Sequence, residues 1–480
     1  MLLKRFYDDQ LAQASYLLGC AATGEAIVID ANRDVQQYRA AAAAEGMRIT
    51  HVTETHIHAD FVSGSRELAA QSGGRLYLSV EGGPEWQYTF PEAADAVHLR
   101  DGSRFKVGNI IIEALHTPGH TPEHLSFLVT DGAASTEPYA IFTGDFVFVG
   151  DVGRPDLLEK AAKVANTMDA AARTLHRSLA RFRALPEFVQ VFPGHGAGSA
   201  CGKSLGALPS STVGYELRTN WGLEAMSEDA FVAAVLAGQP EPPRYFAQMK
   251  HVNKVGPSLL GMQVPLAALP YVELARMRTS AALLVDVRSS ADFATGHLPG
   301  SLNIPAGKSF VTWAGWLLPY HDDLYLVAES AAAAESARTS LALIGLDRVR
   351  GCFDAATLTA ERAARHGTLP GVRQLDAAEA ATLLRTSAPT VVDVRNAAEF
   401  AAGHLAGAHH IPLGQLPHRL GELPADAPVI VHCAGGARSA IGASVLLRAG
   451  FQQLGNLAGG YNAWVSQGLP IEKAATAGAA

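Results

Sequence analysis

Histidine and aspartate side chains occur in four short turns that follow hydrophobic runs in the first half of the chain. These turns are His56–Phe61, Thr117–Pro122, Thr143–Asp145 and Pro193–His195. Side chains carried on turns at the ends of rigid strands are a common way for a fold to bring functional groups together. Imidazole and carboxylate groups are common ligands of zinc and iron. The pattern therefore predicts a metal site in this half of the chain.

A second reactive group is the thiol of Cys433, which follows the hydrophobic run Val429–His432 and precedes a predicted helix, Ser439–Leu447. Free backbone N–H groups and the positive end of the helix dipole favour a thiolate at such a junction, and equally a persulfide anion. Arg438 adds a positive charge five positions after the cysteine, whereas phosphatases of related design place an arginine six positions after it. The tighter loop favours sulfur transfer over phosphate ester chemistry. The cradle loop around the sulfur is predicted to comprise Ala434, Gly435, Gly436, Ala437 and Ser439.

The elements that position this loop occur twice in the sequence. The run Leu284–Arg288 recurs as Val391–Arg395, and Phe293–Gly300 recurs as Phe400–Gly407, each 107 residues later. A period of about a hundred residues indicates a duplicated domain rather than a solenoid. Each copy has the order strand, turn, helix, strand, which predicts a parallel sheet covered by helices.

The first copy lacks the reactive groups of the second. Later in the copies the offset is 105 residues, so that Cys433 corresponds to Ala328 and Arg438 to Ala333. We therefore expect the first copy to be silent in sulfur transfer and to serve packing, docking or assembly. It retains three polar residues of the shared pattern: Asp286, Arg288 and His297.

The length of 480 residues is too great for one ordinary hydrophobic core. Breaks that contain proline or glycine lie at 257–265 and 367–371. They predict three domains, at residues 1–256, 262–366 and 371–475.

Composition and charge argue against several classes of function. A net charge of −8 with a pI near 6.1 gives no reason to expect nucleic acid. Four cysteines in so long a chain do not form a disulfide framework, so we expect a reducing, cytoplasmic location. No apolar run approaches the roughly 20 residues that span a bilayer, so we expect no membrane partner.

Both halves of the chain resemble known families. The Asp-Val-Arg strand end, the Phe-x-x-Gly-His-Leu turn and the Cys433 loop resemble the rhodanese family. The four turns of the first half resemble the metallo-β-lactamase superfamily, whose hydrolases carry His-x-His-x-Asp-His; here Phe61, which cannot bind a metal, occupies the last position. The resemblance implies an α/β multidomain fold. In it, an αββα metallo-β-lactamase domain precedes two rhodanese-like domains with parallel sheets, the first inactive and the second active.

Within that superfamily, Gly119–Pro122, Gly144–Asp145 and Gly153–Leu157 resemble the persulfide dioxygenase branch, and the whole layout resembles bacterial persulfide dioxygenase–rhodanese fusions. The implied cofactor is one mononuclear Fe(II) per chain, in a facial triad with open positions for substrate and O₂. The ligands implied by the resemblance are His56, His120 and Asp145. Three more residues are expected to orient ligands or water around them: His58, Asp60 and His195.

The resemblance also implies the substrates. A low-molecular-weight thiol persulfide is oxidised with O₂ to sulfite, and Cys433 then passes a sulfane sulfur from another persulfide to sulfite, which gives thiosulfate. The carrier thiol stays open between glutathione, coenzyme A, bacillithiol and others. We expect a homo-oligomer.

Two further segments have two interpretations each. Cys201 lies in a small-residue loop, and the similar fusions carry a cysteine in a matching Gly-Ser-Ala-Cys-Gly segment. It is either a catalytic sulfur acceptor, with Lys203 able to lower the pKa of its thiol, or a structural thiol. The basic and aromatic run Arg244–Lys254 either binds an acidic carrier thiol or forms a solvated helix face.

Two rival functions also remain open. The first is a zinc-dependent thioester hydrolase of the glyoxalase II kind. It needs a filled second metal site, and Phe61 argues against such a site because it cannot bind a metal. A non-enzymatic persulfide sensor would suit the empty first repeat but not the intact Cys433 loop.

Overall fold

The computed structural model describes residues 1–160, 167–277 and 282–473. The chain packs as two units, described separately below. Unit 1 is Met1–Gln263 together with Leu341–Gly345, and unit 2 is the rest of the described chain from Val264 onward. No helix in the described ranges is long and apolar enough to cross a bilayer.

Unit 1 contains two six-stranded sheets, and the first runs in chain order from β1 to β6. The pairs β1–β2 and β2–β3 are antiparallel, whereas the pairs from β3 to β6 are parallel. The strands are β1 Leu2–Asp8, β2 Gln13–Cys20, β3 Glu25–Ile29, β4 Arg48–Thr53, β5 Arg75–Ser79 and β6 Val97–Leu99.

The second sheet has the order β12-β11-β10-β9-β8-β7, with one parallel pair, β10–β11, among antiparallel neighbours. Its strands are β7 Arg104–Val107, β8 Ile110–His116, β9 Leu125–Asp131, β10 Ala140–Gly144, β11 Gln190–Pro193 and β12 Ser211–Thr212. The helices of unit 1 are α1 Val35–Ala44, α2 Ser65–Ser72, α3 Leu157–Lys160, α4 Met168–Arg183, α5 Val213–Thr219, α6 Glu228–Leu236 and α7 Tyr245–Val255.

Alternation of side chains along the strands builds three apolar layers in unit 1. Tyr16 and Leu18 of β2 belong to the core between the two sheets, while Leu17, between them in sequence, belongs to a core with Tyr38 of α1. The outer face of the second sheet packs against α4 and α6 in a third core. Successive side chains of a strand point to opposite faces, so a strand buried on both sides is apolar throughout. The result is the expected αββα sandwich.

Unit 2 contains two parallel sheets, with strand orders β14-β13-β15-β16 and β17-β21-β20-β18-β19. The strands are β13 Leu283–Asp286, β14 Leu302–Asn303, β15 Leu324–Ala328, β16 Val349–Asp354, β17 Arg373–Leu375, β18 Thr390–Asp393, β19 His409–His410, β20 Val429–His432 and β21 Leu454–Leu457. The helices are α8 Glu273–Met277, α9 Ser290–Thr295, α10 Phe310–Leu317, α11 Ala331–Ala342, α12 Ala355–His366, α13 Ala377–Thr386, α14 Ala397–Ala402, α15 Ala437–Arg448 and α16 Gly460–Ser466. The parallel sheets predicted from the repeat are confirmed.

One helix boundary differs from the sequence prediction. We expected a helix from Ser439, but α15 begins at Ala437 after Gly436, whose φ of +99° is a left-handed conformation that glycine adopts easily. Arg438 therefore lies in the first turn of the helix and not in the loop. Its side chain projects from the helix, which decides what it contacts.

Candidate metal and sulfur-transfer sites

The three residues predicted as metal ligands meet at one end of the sheets of unit 1. His56 lies shortly after β4, His120 lies in the connection from β8 to β9, and Asp145 directly follows β10. One ligand atom from each residue lies within 4.8 Å of those of the other two. The Nε2 atom of His120 is 3.5 Å from Asp145 Oδ2, and that of His56 is 4.0 Å from the same oxygen. All three side chains are buried.

Hydrogen bonds fix which nitrogen of each histidine faces the centre. The Thr55 hydroxyl donates to Asp30 Oδ2 at 2.9 Å, so it accepts from His56 Nδ1 at 3.0 Å. The carbonyl of Arg154 accepts from His120 Nδ1 at 3.0 Å. Burial lowers the pKa of both imidazoles, that of His56 to well below its usual value. Each ring is thus neutral with the Nε2 lone pair free, which is the form that binds a metal.

Asp145 presents one carboxylate oxygen to this centre and has the other one engaged. His195 Nδ1 donates to Oδ1 at 2.7 Å, while Oδ2 is buried without a hydrogen-bond partner among the described residues. Burial would raise the pKa of Asp145, but His195 and the other two imidazoles hold it well below its usual range. A bound cation would stabilise this buried, unpaired carboxylate oxygen, which lies between two imidazole nitrogens. This donor set fits a divalent metal such as iron or zinc.

His195 is held by carboxylates on both sides. Its Nδ1 contacts Asp145 Oδ1 and its Nε2 contacts Asp60 Oδ2, each at 2.7 Å. Burial opposes the charged ring, but the two carboxylates outweigh it and raise the pKa of His195 well above its usual value. Both ring nitrogens of His195 are thus engaged with carboxylates. Phe61, fully buried nearby, adds no ligand atom.

His58 faces Asp30 instead of the three ligand atoms. Its Nε2 donates to Asp30 Oδ1 at 3.1 Å. Burial opposes the charged ring, but Asp30 and further carboxylates raise the pKa of His58 to about 9. The centroid of the His58 ring lies 4.4 Å from that of the Phe61 ring. The side chain can therefore fix Asp30, and through Asp30 the Thr55 hydroxyl that orients His56.

Three residues that support the centre were missed in the sequence: Asp30, His124 and Arg154. His124 Nε2 accepts a hydrogen bond from the backbone N–H of Asp145 at 3.1 Å, and its ring lies beside that of His56. The Arg154 side chain is fully buried and pairs with Asp156 at 2.7 Å. Two of them had a signal in the sequence: Asp30 is a charged residue at the end of an apolar strand, and Arg154 lies in the Gly153–Leu157 segment on which the family resemblance rests.

The thiol of Cys201 lies at the same end of unit 1. Its Sγ and one atom each of Asp60 and His195 lie within 4.8 Å of one another. Burial, and then nearby aspartates, raise the pKa of the thiol well above its usual value. Lys203 does not counteract this effect, because its Nζ lies over the Trp221 ring, 4.1 Å from the centroid. The thiol is therefore held protonated, and its role as a sulfur acceptor stays a prediction.

The run 244–254 forms most of α7, and one face of that helix is buried. Asn253 donates from Nδ2 to the carbonyls of His58 and Phe61, at 2.8 and 2.7 Å. Lys250 is half-buried, with its Nζ 3.6 Å from the centroid of the Trp86 ring. The helix thus clamps the turn that carries His56, and it is not simply a solvated face.

In unit 2, Cys433 follows β20 and is surrounded by its own loop. The backbone N–H of Gly436 donates to Cys433 Sγ at 3.1 Å, and the Ser439 hydroxyl contacts the same sulfur at 3.5 Å. The Tyr461 N–H, at the start of α16, donates to the Cys433 carbonyl at 2.7 Å and fixes the loop from behind. A Cβ at Gly460 would lie 2.3 Å from that carbonyl oxygen, so this contact requires glycine. The loop is built to stabilise negative charge on a sulfur atom.

Arg438 has a partner that the sequence prediction did not include. Its Nη1 and Nη2 atoms contact the two oxygens of Glu399 at 2.7 and 2.6 Å. Glu399 first, and Cys433 to a smaller extent, raise the pKa of the guanidinium. The positive charge near the sulfur is therefore shared with a carboxylate, which reduces its attraction for an incoming anion.

The first repeat has the same framework without the reactive groups. Ala328 ends β15 where Cys433 follows β20, and Ala333 lies in the first turn of α11. The pair Asp286–Arg288, with a 2.6 Å contact, matches a pair of the same length in the second repeat.

Two family patterns match different parts of the chain. The metallo-beta-lactamase superfamily pattern matches residues 8–195, and the rhodanese-like domain pattern matches 271–351 and 376–467. A crystal structure of a metallo-beta-lactamase from Staphylococcus aureus is 41% identical and superposes with a TM-score of 0.66, covering 73% of this chain and 98% of that one.

Two curated relatives each match less than half of the chain. A hydroxyacylglutathione hydrolase of Methylococcus capsulatus is 34% identical over 152 residues, 32% of this chain and 50% of the relative. A mitochondrial persulfide dioxygenase of Bos taurus is 27% identical over 198 residues, 41% of this chain and 68% of the relative. Together with the αββα fold, the two family patterns and the Staphylococcus aureus structure establish that the chain belongs to the metallo-beta-lactamase superfamily and carries two rhodanese-like domains C-terminal to that domain.

Proposed function

We propose that the chain is a persulfide dioxygenase coupled to a sulfurtransferase. In the first reaction, R–S–SH, O₂ and H₂O give R–SH, sulfite and two protons. In the second, the Cys433 thiolate attacks the outer sulfur of R–S–SH and releases R–S⁻. The Cys433 persulfide passes its proton to R–S⁻, and sulfite then takes the sulfane sulfur, which frees the Cys433 thiolate and forms thiosulfate.

The observation that carries the proposal is the buried His56–His120–Asp145 triad, beside which His195 has both ring nitrogens on carboxylates. The hydrolases that the chain resembles need a second metal. Here Phe61 replaces one of its ligands, and His195 has both ring nitrogens on carboxylates. Bound at the triad, Fe(II) would supply the redox chemistry that dioxygen requires, with positions left open for substrates.

The protein groups around the triad set its geometry. The Asp60–His195 pair fixes Asp145 through its second oxygen, so that Oδ2 keeps its direction. The Arg154 carbonyl fixes the ring of His120. Outer contacts of this kind hold ligand orientation and raise metal affinity. Their burial also excludes water from the reacting groups.

The cysteine loop supports the second reaction. The Gly436 N–H and the Ser439 hydroxyl both point at Cys433 Sγ, which suits a sulfur that is anionic before and after accepting sulfane sulfur. The zinc thioester hydrolase is the competing function, favoured by the identity to a hydroxyacylglutathione hydrolase.

Oxygen uptake separates the two functions. Iron-loaded protein given glutathione persulfide should consume one O₂ per sulfite or thiosulfate formed, and the Asp145→Asn variant should consume none above background. Zinc-loaded protein that cleaves S-lactoylglutathione, with no O₂ uptake in the iron-loaded form, would instead establish the hydrolase.

A further inference from the structure

His432, the last residue of β20, is a fully buried histidine directly before the reactive Cys433. Its Nδ1 atom lies 3.4 Å from the carbonyl oxygen of Cys433, and its Nε2 atom lies 3.6 Å from Asp393 Oδ2. Nε2 has no hydrogen-bond partner among the described residues. Both ring nitrogens therefore face oxygen atoms that accept hydrogen bonds and do not donate them.

A neutral imidazole suits this position poorly. It carries one N–H and one lone pair, so the nitrogen that lacks the proton presents its lone pair to an oxygen. An imidazolium has a proton on each nitrogen and would donate to both oxygens at once. Burial opposes that charge and lowers the pKa of His432, while Asp393 acts in the opposite direction. The ring is thus placed to take up a proton when a further negative charge arises nearby.

The side chains whose charges act on the ring are Asp393, Arg395 and His404. Asp393 is bound by Arg395 through Nε and Nη2, at 2.9 and 2.6 Å. Arg395 and His404 both lower the pKa of His432. Because Arg395 offsets the charge of Asp393, the ring needs a second anion to hold a proton at neutral pH.

The second anion is the sulfur of Cys433 when it loses its proton. The carbonyl oxygen that His432 Nδ1 contacts belongs to the same residue as Sγ, so a charge on the ring and a charge on the sulfur interact strongly. Arg438, the other cation near this sulfur, is already paired with Glu399. A proton on His432 would therefore supply positive charge that the loop otherwise shares with a carboxylate.

The silent repeat provides an internal comparison. The offset of 105 residues that pairs Cys433 with Ala328 pairs His432 with Val327, which is also buried. An Asp–Arg pair with the same 2.6 Å contact is present in both repeats. Its aspartate is the strand partner of Val327 in one repeat and of His432 in the other. The framework is thus the same, and the imidazole accompanies the thiol.

We propose that His432 takes up the proton that Cys433 gives up, and keeps it while the sulfur is a thiolate or a persulfide anion. The inference rests on the proposed sulfur transfer at Cys433. When the thiol ionises, S–H becomes S⁻ and the ring becomes an imidazolium, so the net charge of the two side chains is unchanged. The ring stays charged until the thiol forms again. His432 acts through Cys433 and not on the substrate itself, so it is a positioning residue.

The pH dependence of sulfur transfer from thiosulfate to cyanide tests the proposal. In His432→Val, which introduces the residue type of the silent repeat, no cation can form at this position, so the thiolate forms only at higher pH. We expect the acid limb of the kcat/KM profile to move up by about one pH unit, the size of a charge interaction over such a separation inside a protein. Well above that limb, kcat/KM should stay close to the wild-type value.

His410→Asn is the matched control. His410 lies in the same sheet and donates from Nε2 to the Arg395 carbonyl at 2.9 Å. The first repeat has Asn303 at the corresponding strand position, so the fold accommodates the change. The pH profile of this variant should match that of the wild type, and an equal shift in both variants would contradict a specific effect of His432.

His432→Gln separates the charge from the hydrogen bond. A glutamine side chain can donate an N–H to the Cys433 carbonyl but cannot take up a proton. We expect the same shift as in His432→Val. A wild-type profile would show that hydrogen bonding is sufficient and would overturn proton uptake.

Nitrogen NMR of the histidine rings observes the proton without relying on the pH profiles of the variants. The His432 signal, identified by its absence in His432→Gln, should be that of an imidazolium in protein whose Cys433 has been loaded with sulfane sulfur from thiosulfate. It should be that of a neutral ring in Cys433→Ser treated in the same way. A neutral ring in the loaded protein, or an unshifted profile in His432→Val, would overturn the proposal and leave sulfur transfer standing. Wild-type protein that transfers no sulfur from thiosulfate or from glutathione persulfide would overturn both.

Discussion

At the scale of single residues, the metal centre depends on protons and charges that lie one contact away from the ligands. His56 and His120 are neutral because burial lowers the pKa of each ring, and their Nδ1 atoms donate to Thr55 and to the Arg154 carbonyl, which leaves Nε2 without a proton. Asp145 is anionic because His195 lies against it. The family resemblance implied the ligands, but residue types could not predict these tautomers.

Asp60→Asn tests the relay of contacts that runs from Asp60 through His195 to Asp145. The amide removes one of the two carboxylates that stabilise the charge of His195, so Asp145 should be held less firmly. We expect about 10–100-fold weaker iron affinity, as for other changes just outside a metal's ligands. Competition with a chelator measures it, and Asp151→Asn, a buried aspartate bonded to Trp221, is the matched control. Equal losses in both variants would contradict the relay.

Glu399→Gln tests the charge shared with Arg438. Without the carboxylate, the guanidinium is free to attract anions, so KM for thiosulfate should fall several-fold while kcat changes less. Glu422→Gln, which breaks the exposed bidentate pair with Arg419, provides the control and should leave KM unchanged. Because both partners of the Arg438 pair are partly exposed, we expect little change in stability. A KM that stays the same would mean that Arg438 does not contact thiosulfate.

At the scale of elements, turns with unusual backbone geometry hold the ligands in place. Gly119 precedes His120 with a φ of +144°, and a Cβ there would lie 2.5 Å from Leu175 Cβ on α4. The turn thus packs on the helix so closely that only glycine fits. The ligand turn and the helix are fixed together.

Gly119→Ala should therefore displace the His120 turn. We expect a loss of roughly 1–3 kcal/mol in unfolding free energy, from strain and overpacking, together with weaker iron binding. The control is Gly102→Ala. The φ of Gly102 is also positive, at +73°, but no heavy atom lies within 4 Å of a Cβ added there. This control should lose stability without losing iron, as judged by thermal unfolding and metal content. Iron binding that falls equally in both would contradict the packing argument.

The elements that were predicted well from the sequence are those whose motifs recur in both repeats. The duplicated Asp-Val-Arg and Phe-x-x-Gly-His-Leu motifs predicted the parallel sheets of unit 2, because such strands read as continuous apolar runs. The start of α15 was predicted two residues late, since a loop with two glycines gives no apolar period. The Glu399 contact with Arg438 joins α14 and α15 across the fold, and no local pattern encodes it.

At the scale of the whole molecule, the proposed function joins two chemistries in one chain. The metallo-beta-lactamase domain would make sulfite, and the second rhodanese-like domain would consume it. The metal-binding His-His-Asp set and the Cys433 loop were both visible in the sequence. A cavity in unit 2 that residues of both repeats line was not visible in the sequence. Its lining residues, from Val287 to Gly459, lie far apart in the chain.

Cys433→Ser separates the two chemistries. The variant should consume O₂ with glutathione persulfide at the wild-type rate, and sulfite should accumulate in place of thiosulfate. Cys352→Ser, a buried cysteine on β16, is the control and should still form thiosulfate. Thiosulfate from the Cys433 variant would show that another group transfers the sulfur.

The number of metal ions per chain tests the central claim most directly. Metal-free protein is titrated anaerobically with Fe(II), and bound iron is followed by calorimetry. One triad beside an engaged His195 predicts saturation at one equivalent per chain, and no tight binding in Asp145→Asn. Saturation at two equivalents, or tight binding that survives Asp145→Asn, would contradict the account.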